Sequence, residues 1–287
     1  MKREYTYLIS SLPELIIDFD AKKFDFAVFL CEIKNTVHRK DYQLITKLFY
    51  PYDNQNLLNI LLKKNQTFQN KGNFTQETLE ENIKSRNLPK HMKDFIEILN
   101  PDDENSEKDN SSDELLKFRE RDKENILHTL FYNEILKTKN KFLRNWFTFD
   151  RELRNIQTAI VARRLQIDAS NYFVGENAQF YSQNTSADFG LNNEIDWISK
   201  VVQIAEIPDI LERERKIDLF RWEKIEEMSV YNYFDVDAIL AFVQKAILLD
   251  RWLLLDKQTG QQMFDSFLKD LMKTCDTKTI FAKKDEK

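Results

Sequence analysis

Hydrophobic residues recur every three to four positions along most of the chain, which is the period of an amphipathic α-helix. The clearest case is the segment from Trp146 to Arg164, WFTFDRELRNIQTAIVARR, which contains no Gly or Pro and carries four arginines. We expect its apolar stripe to face a core and the arginines to lie beside it. The stripe consists of Phe142, Trp146, Phe149, Leu153, Ile156, Ile160 and Ile167.

The same period predicts helices in the N-terminal part of the chain. FDFAVFLCEIKNTV is predicted to form a helix, whereas YTYLISSLPELI is compatible with either an extended or a helical segment. DYQLITKLFY and DNQNLLNILLKK are predicted to form an antiparallel hairpin divided at Pro51, with Asp53 capping the second helix. Thr75 is placed to cap the next helix, and Pro89 suits the first turn of the one after it.

Long helices are also predicted in the C-terminal part. Residues from about 115 to 167 contain no proline, which indicates one long helix or two packed end to end. IDWISKVVQIAEI forms a helix that ends at Pro208. Two long helices then follow, joined by the aromatic connection SVYNYF, and a last helix follows Asp256.

Residues 101–114 interrupt this pattern, since they include seven acids, one lysine and no large apolar side chain. Such a segment buries too little apolar surface to offset the entropy of ordering. We therefore predict an N-terminal helical lobe at 1–100, an acidic linker at 101–114 and a long-helix body at 115–287 that forms the remaining lobes.

Composition favours an all-α fold with little or no β-structure. Four glycines in 287 residues provide few positions for tight hairpins or phosphate-binding loops. The net charge of −5 gives no electrostatic case for nucleic acid, and no apolar run is long enough to cross a bilayer. Cys31 and Cys275 are interpreted as reduced, buried thiols of a cytosolic protein.

No catalytic or metal-binding motif stands out. ADFGL at 187–191 contains the Asp-Phe-Gly triplet of protein kinases, but the chain lacks a glycine-rich loop and a nearby catalytic His-Arg-Asp. His38, His91 and His128 lack the spacing of a helical metal site and are expected at the surface or its boundary. We therefore expect no active site, no metal, no cofactor and no small-molecule substrate.

The carboxylates Glu214 and Asp218 are one helical turn apart, a spacing that suits an acid and base pair. A structural ion pair is favoured instead, because Arg213, Arg215 and Arg221 lie within helical reach.

Two helices share a short pattern that suggests duplicated lobes. Asp53 and Asn56 in the first align with Glu152 and Asn155 in the second. The basic residues near their ends, Lys64 and Arg163, align as well.

Six segments, in order, resemble a divergent bacterial branch of the V-type ATPase C subunit family, whose eukaryotic member is called subunit d. They are YTYLISSLPEL, YPYDNQNLL, NKFLRNWFTFDRELRNIQTAIVARR, SADFGL, ERERKIDLFRW and AILAFVQKAILLDRWLLLD. The resemblance covers the chain from about Tyr5 to Leu271.

This resemblance implies a multi-lobed helical funnel of three lobes in the central stalk, without an active site of its own. Its partners would be the central-shaft subunits and the proteolipid ring, and it would lie peripherally on the cytoplasmic face of the membrane. The alternative is a helical small-molecule-binding protein or enzyme whose pocket carries no local motif.

Eight residues are predicted to have a structural or interface role under either interpretation. Arg154 and Asn155 are expected to satisfy backbone groups or carboxylates at a lobe junction. Arg163 and Arg164 are placed either in solvent or facing a partner. The set is completed by Asp53, Asn56, Asp218 and Arg221.

Overall fold

A computed structural model gives the fold of the chain. It describes residues 3–15, 26–64, 66–99, 120–169, 172–175, 181, 186, 189–191 and 195–253. The predicted linker at 101–114, Cys275 and the helix predicted after Asp256 lie outside these residues.

The described residues are helical and contain no strand, which confirms the predicted all-α class. Eleven α-helices are described, with a short 3-10 turn at Lys47–Phe49 between the third and fourth. They are α1 (Thr6–Ser11), α2 (Phe26–Thr36), α3 (Arg39–Thr46), α4 (Tyr50–Leu61), α5 (Gln76–Ser85), α6 (Lys90–Leu99), α7 (Glu120–Ile135), α8 (Lys141–Leu165), α9 (Ile198–Ala205), α10 (Ile210–Ser229) and α11 (Val236–Leu253).

Helix α8 lies at the centre of the body and packs against α7, α9, α10 and α11. It contains most of the predicted apolar stripe, and Phe142, Trp146, Phe149, Leu153 and Ile156 are buried as expected. Ile160 is half-buried. Ile167 is exposed, because the helix ends at Leu165 and the stripe no longer applies beyond it.

Helices α8 and α10 run antiparallel along the body. Asn140, which caps the start of α8, donates to Asp237 in the first turn of α11, the helix that follows the end of α10. At the other end, Arg164 of α8 donates to the carbonyl of Ala205, five residues before α10 begins. The rings of Phe149 and Phe220 meet between these two ends, 5.5 Å apart.

Two clusters of buried apolar residues occur in the part of the chain that the structure describes, and helix α7 contributes to both. The larger cluster extends from Leu8 in α1 to Leu248 in α11. The smaller one gathers residues of α4, α5 and α6. Leu127 of α7 belongs to the smaller cluster, and Phe131 of α7 belongs to the larger. Both clusters therefore draw on segments from either side of residues 101–114, while the division into 1–100 and 115–287 stays a prediction.

The predicted hairpin at Pro51 is wrong. The backbone stays in the right-handed helical region through Thr46, Lys47, Phe49 and Tyr50, so α3 leads through the 3-10 turn into α4 without reversing. Pro51 is tolerated in the first turn of α4, where its missing N–H needs no partner. Asp53 is consequently inside the helix, and it is not the N-cap that was predicted.

The other local predictions are confirmed in part. Thr75 caps α5 by accepting from the N–H of Thr78, and the long segment before residue 167 is two helices rather than one. The N-terminal segment left open contains the short helix α1. The expectation of a buried Cys31 is wrong, since its side chain lies on the exposed face of α2.

Candidate functional site

Asn56 and Asn155 are buried, and each fixes a loop through the backbone of a single residue. Asn56 accepts from the N–H of Gln69 at 2.7 Å and donates to its carbonyl at 2.9 Å. Asn155 makes the same two bonds with Val174, both at 2.9 Å. The two asparagines that align in the sequence therefore make the same pair of hydrogen bonds, while the duplication of lobes stays a prediction.

The Asp53 carboxylate is also buried, and it binds the loop that Asn56 holds. It accepts from the backbone and side chain of Asn73, at 2.7 and 2.5 Å, and from the N–H of Phe74 at 3.3 Å. Burial raises the pKa of this carboxyl to about 6, although the three hydrogen bonds act to lower it. Gly72 lies so close that a Cβ atom on it would stand 2.3 Å from the Asp53 Oδ1 atom.

Asp218 collects three donors at the contact between α10 and α11. It accepts from Arg221 at 2.8 Å, from Arg251 at 3.0 Å and from the indole N–H of Trp252 at 2.8 Å. Arg251 also pairs with Glu214 at 2.7 Å. The predicted ion-pair arrangement is thus present, with Arg251 from the neighbouring helix taking a place that was expected of Arg213 or Arg215.

The two arginines at the end of α8 occupy different settings. Arg163 donates to the carbonyl of Ser186 at 2.6 Å, and its guanidinium lies 3.7 Å from the centre of the Phe189 ring. Arg164 donates to the carbonyl of Ala205 at 2.6 Å and so caps the end of α9. Both side chains are otherwise exposed.

Arg154 is half-buried and points its charge toward α7, where it acts on Glu124, His128 and Tyr132. Within the described residues its guanidinium reaches neither the backbone group nor the carboxylate that was expected of it. The nearby Glu124 carboxylate instead lies 3.7 Å from His128 and 3.9 Å from Lys64.

His91 is buried, which corrects the expectation of a surface or boundary histidine. One ring nitrogen lies 2.9 Å from the Glu134 carboxylate, and the other lies 2.9 Å from the Asn54 amide oxygen. Burial acts to raise the pKa of Glu134, yet the bonds from the His91 ring and backbone outweigh it and lower that pKa. A lone histidine in an amphipathic helix gives no sequence signal of these partners, because they come from α4 and α7.

An ion pair joins the loop between α4 and α5 to the last described helix. Lys71 and Asp250 lie 2.5 Å apart, and both are mostly buried. Together with Asp53 and Asn56, this pair ties the smaller core to α11. Sequence reasoning missed it, since 179 positions separate the two residues.

Exposed apolar side chains collect at the end of the body where α10 turns into α11. We call Tyr7, Val230, Tyr231, Tyr233 and Phe234 the corner surface. Tyr7 is 90% exposed and Tyr231 is 87% exposed. The N–H of Tyr5 donates to the carbonyl of Phe234 at 2.6 Å, which brings α1 to this connection.

At the other end of the body, which we call the opposite end, a second group of apolar side chains is exposed. It consists of Val161, Leu165, Ile167, Ile210 and Leu211. The bond from Arg164 to Ala205 holds the end of α8 beside the segment that leads into α10. Arg163 lines a cleft of about 200 Å³ at this end, together with Ala162, Asp168 and Phe173. Both groups are defined by the exposure of their side chains. Hydrophobic periodicity in the sequence does not predict which apolar side chains are exposed at the ends of helices.

Neither a metal centre nor a membrane-spanning helix is found where the structure describes the chain. No three metal-binding side chains come together in that part, and none of its helices is long and apolar enough to cross a bilayer.

The model of one protein family, described as "Protein of unknown function (DUF2764)", matches residues 1–275. The chain belongs to the DUF2764 family. One curated relative, an uncharacterized protein of Chlamydia muridarum (strain MoPn / Nigg), is 28% identical over 133 residues. That match covers 44% of this chain and 49% of the relative, so the chain spans about half the length of the relative. No solved structure matches the chain.

This family assignment overturns the one expected from the sequence. The matching model is that of DUF2764, and no match to the V-type ATPase C subunit family accompanies it. The six segments that suggested the resemblance therefore do not establish membership of that family.

Proposed function

We propose that this DUF2764 protein is a non-catalytic linking subunit that holds two protein partners at opposite ends of a stiff helical body. The observation that carries the proposal is the placement of exposed apolar side chains at both ends of the antiparallel pair α8 and α10. Helix α10 has 20 residues, which corresponds to about 30 Å between its ends.

The corner surface has the composition of a protein-binding surface. Three of its five residues are tyrosines, and tyrosine is enriched among residues that dominate interface energy. Aromatic side chains of this kind contribute large contact area at low entropic cost. Exposed apolar side chains that lie together in this way mark interaction sites.

The body between the two ends is braced by polar contacts that cross its helices. Asp218 joins α10 to α11, Arg164 joins α8 to α9, and Lys71 joins the smaller core to α11. Of these groups the Asp218 carboxylate is fully buried and accepts three hydrogen bonds, and a buried polar group satisfied in this way fixes the arrangement of the elements around it. A linking subunit requires such a fixed arrangement, because its partners must be held at a constant separation.

A more specific version of this proposal, which we call the stalk form, is the central-stalk role expected from the sequence. In that form, the protein links the rotor shaft of a V-type ATPase to its proteolipid ring, lies peripherally on the cytoplasmic face of the membrane and has no active site. A central-stalk subunit needs two binding surfaces and a stiff body between them. The geometry supports this role without requiring membership of the C subunit family.

The alternative is a ligand-binding protein, and the cleft beside Arg163 is the feature that favours it. Its volume of about 200 Å³ is below the roughly 300 Å³ at which small-molecule sites usually begin. Arg163 already binds Ser186 and covers the ring of Phe189, so it is partly occupied. The same cleft also suits a single apolar side chain of a partner docked at the opposite end.

Affinity purification of the tagged chain from its native host, after mild solubilisation of membranes, tests the proposal. We expect at least two other proteins at stoichiometric amounts, and mass spectrometry would identify them. Recovery of the ATPase head, shaft and ring would support the stalk form, whereas two unrelated partners would support only the general one. Recovery of the chain alone would contradict both and direct attention to the cleft.

A further inference from the structure

Two other segments that lie beside the corner surface carry basic side chains. The amide N–H of His38 donates to the Tyr5 hydroxyl at 3.3 Å, which places the start of α3 beside α1. The side chain of Asn140 donates to Asp237 at 2.5 Å, which places the loop before α8 beside the start of α11. These two segments carry five exposed cations, which we call the corner cations: Arg39, Lys40, Lys137, Lys139 and Lys141.

The corner cations form no ion pair with any residue that the structure describes, whereas three acids on the same or adjoining elements already have partners. Asp41 pairs with Arg3 at 3.3 Å, and Glu227 pairs with Lys224 at 2.7 Å. Asp235 accepts from two amides at the start of α11. Glu4, beside Tyr5, is exposed and has no partner among the residues that the structure describes.

This local excess of positive charge stands out against the chain as a whole, which has a net charge of −5. Unpaired cations around an apolar centre attract negative charge and steer its approach. The corner surface therefore combines a tyrosine-rich centre with a basic rim.

We propose that the corner surface binds an acidic segment of a partner protein, in which Asp or Glu residues flank an apolar or aromatic side chain. This inference rests on the proposed linking function and adds the chemistry of one partner. The centre would receive the apolar side chain, and the corner cations would face the carboxylates.

A protein segment fits this surface better than an anionic membrane does. Its centre is mostly tyrosine, whose hydroxyl needs hydrogen-bond partners, and of Trp, Phe and Leu it presents only Phe234. Amphipathic segments that bury into lipid usually present Trp, Phe or Leu on their apolar face. The polar tips of Tyr7, Tyr231 and Tyr233 find donors and acceptors on a polypeptide.

Site-specific photocrosslinking in the native host tests this inference. A benzophenone amino acid replaces Tyr233 in the full chain, and the crosslinked segment of the adduct is identified by mass spectrometry. We expect one main protein adduct, formed through a segment rich in Asp and Glu. The same probe at the exposed Glu81 of α5 is the control, and it should give no such adduct.

Charge reversal supplies a second measurement. Replacing Lys137, Lys139 and Lys141 by Glu should lower the yield of the adduct at Tyr233 about tenfold, because three attractive surface charge pairs of modest strength become repulsive. Replacing Lys84, Lys90 and Lys216 by Glu makes the same change in net charge elsewhere and should leave the yield unchanged. All six lysines are exposed, so the thermal unfolding of both variants should match that of the original chain.

The outcomes separate this inference from the linking function. Partners in the affinity purification together with a Tyr233 adduct on phospholipid, nucleic acid or a segment without acids would overturn the inference alone. An adduct yield that is unchanged by the charge reversal at Lys137, Lys139 and Lys141 would also overturn the inference alone. No partner in the purification and no adduct at Tyr233 would overturn both.

Discussion

Asn56 in α4 and Asn155 in α8 hold their loops through the same pair of hydrogen bonds, one accepted and one donated by the side-chain amide. Ninety-nine positions separate the two residues. In both cases an asparagine near the middle of a helix fixes a chain segment that passes over it. The protein therefore uses one device twice to attach a loop to a helix.

Replacing either asparagine by alanine should destabilise the protein. Asn56→Ala and Asn155→Ala would each leave a backbone N–H and a backbone carbonyl of the loop without partners, which costs about 2 kcal/mol. Urea unfolding followed by circular dichroism measures this loss. Asn35→Ala, on the exposed face of α2, is the control and should change the free energy of unfolding by less than about 0.5 kcal/mol. Equal effects of all three substitutions would contradict the structural role of the two buried amides.

The Asp53 carboxyl should make stability depend on pH in an unusual direction. Its pKa is raised from 3.8 to about 6 in the folded protein, so the folded state binds a proton more tightly than the unfolded state does. Its contribution is then most favourable below about pH 4, falls as the pH rises toward 6 and is constant above that range. Two pKa units correspond to about 3 kcal/mol.

The comparison with Asp53→Asn isolates this contribution, because the variant cannot titrate at this position. The free energy of unfolding of the original chain, minus that of the variant, should fall between pH 4 and pH 6.5. A difference that stays level or rises over this interval would show that burial does not dominate the environment of Asp53.

Removing the Asp218 carboxylate should cost more than removing a surface acid. Asp218→Asn would leave the guanidinium of Arg221 and that of Arg251 without their shared charged partner. Loss of one partner from a buried ion pair typically costs about 3 kcal/mol or more. A double-mutant cycle with Arg251→Met measures the coupling, and a coupling energy near zero would mean that the contact contributes nothing. Glu223→Gln, in an exposed pair with Lys200, is the matched control.

Gly72 and Gly175 should respond differently to alanine. At Gly72 the added Cβ atom would meet the Asp53 Oδ1 atom at 2.3 Å, so either the loop or the carboxylate must move. We expect Gly72→Ala to destabilise by about 2 kcal/mol. At Gly175 the nearest atom is 3.5 Å away, but the φ angle of +96° disfavours a side chain, which costs about 1 kcal/mol. Thermal unfolding of the two variants measures the difference, and the reverse order of stability would contradict the crowding at Asp53.

Substitutions at the two ends should release different partners. Tyr231→Ser with Tyr233→Ser at the corner surface should weaken one interaction, and Ile210→Ser with Leu211→Ser should weaken the other. Loss of an interface hot spot of 2 kcal/mol or more corresponds to roughly 30-fold in affinity. Quantitative affinity purification of the two variants measures which partner each one loses. Loss of both partners from either variant, with thermal unfolding unchanged, would show that the two ends do not act separately.

The sequence was informative where burial follows a helical period. The stripe of α8 from Phe142 to Ile156 and the ends of α9 and α10 all follow from local pattern and from capping residues. Pro51 was misleading, because a proline in the first turn of a helix looks in the sequence like a proline between helices. The relation of Asn56 to Asn155 was visible as a repeat, but the loops that they bind were not.

The long-range contacts had no local signal. His91 gave no sign of Glu134 or Asn54, and Lys71 gave none of Asp250, because these partners meet only after the helices pack. Side-chain exposure at helix ends likewise depends on what covers each end. For that reason, the corner surface and its rim of cations emerged only from the structure.

Helix α7 places Leu127 in the smaller core and Phe131 in the larger, one turn apart. Neither cluster can open fully without disturbing a helix on which the other depends. We therefore expect the described body to melt as one cooperative unit. A load applied at one end would be resisted by both cores together, which makes resistance to deformation a property of the helix that they share.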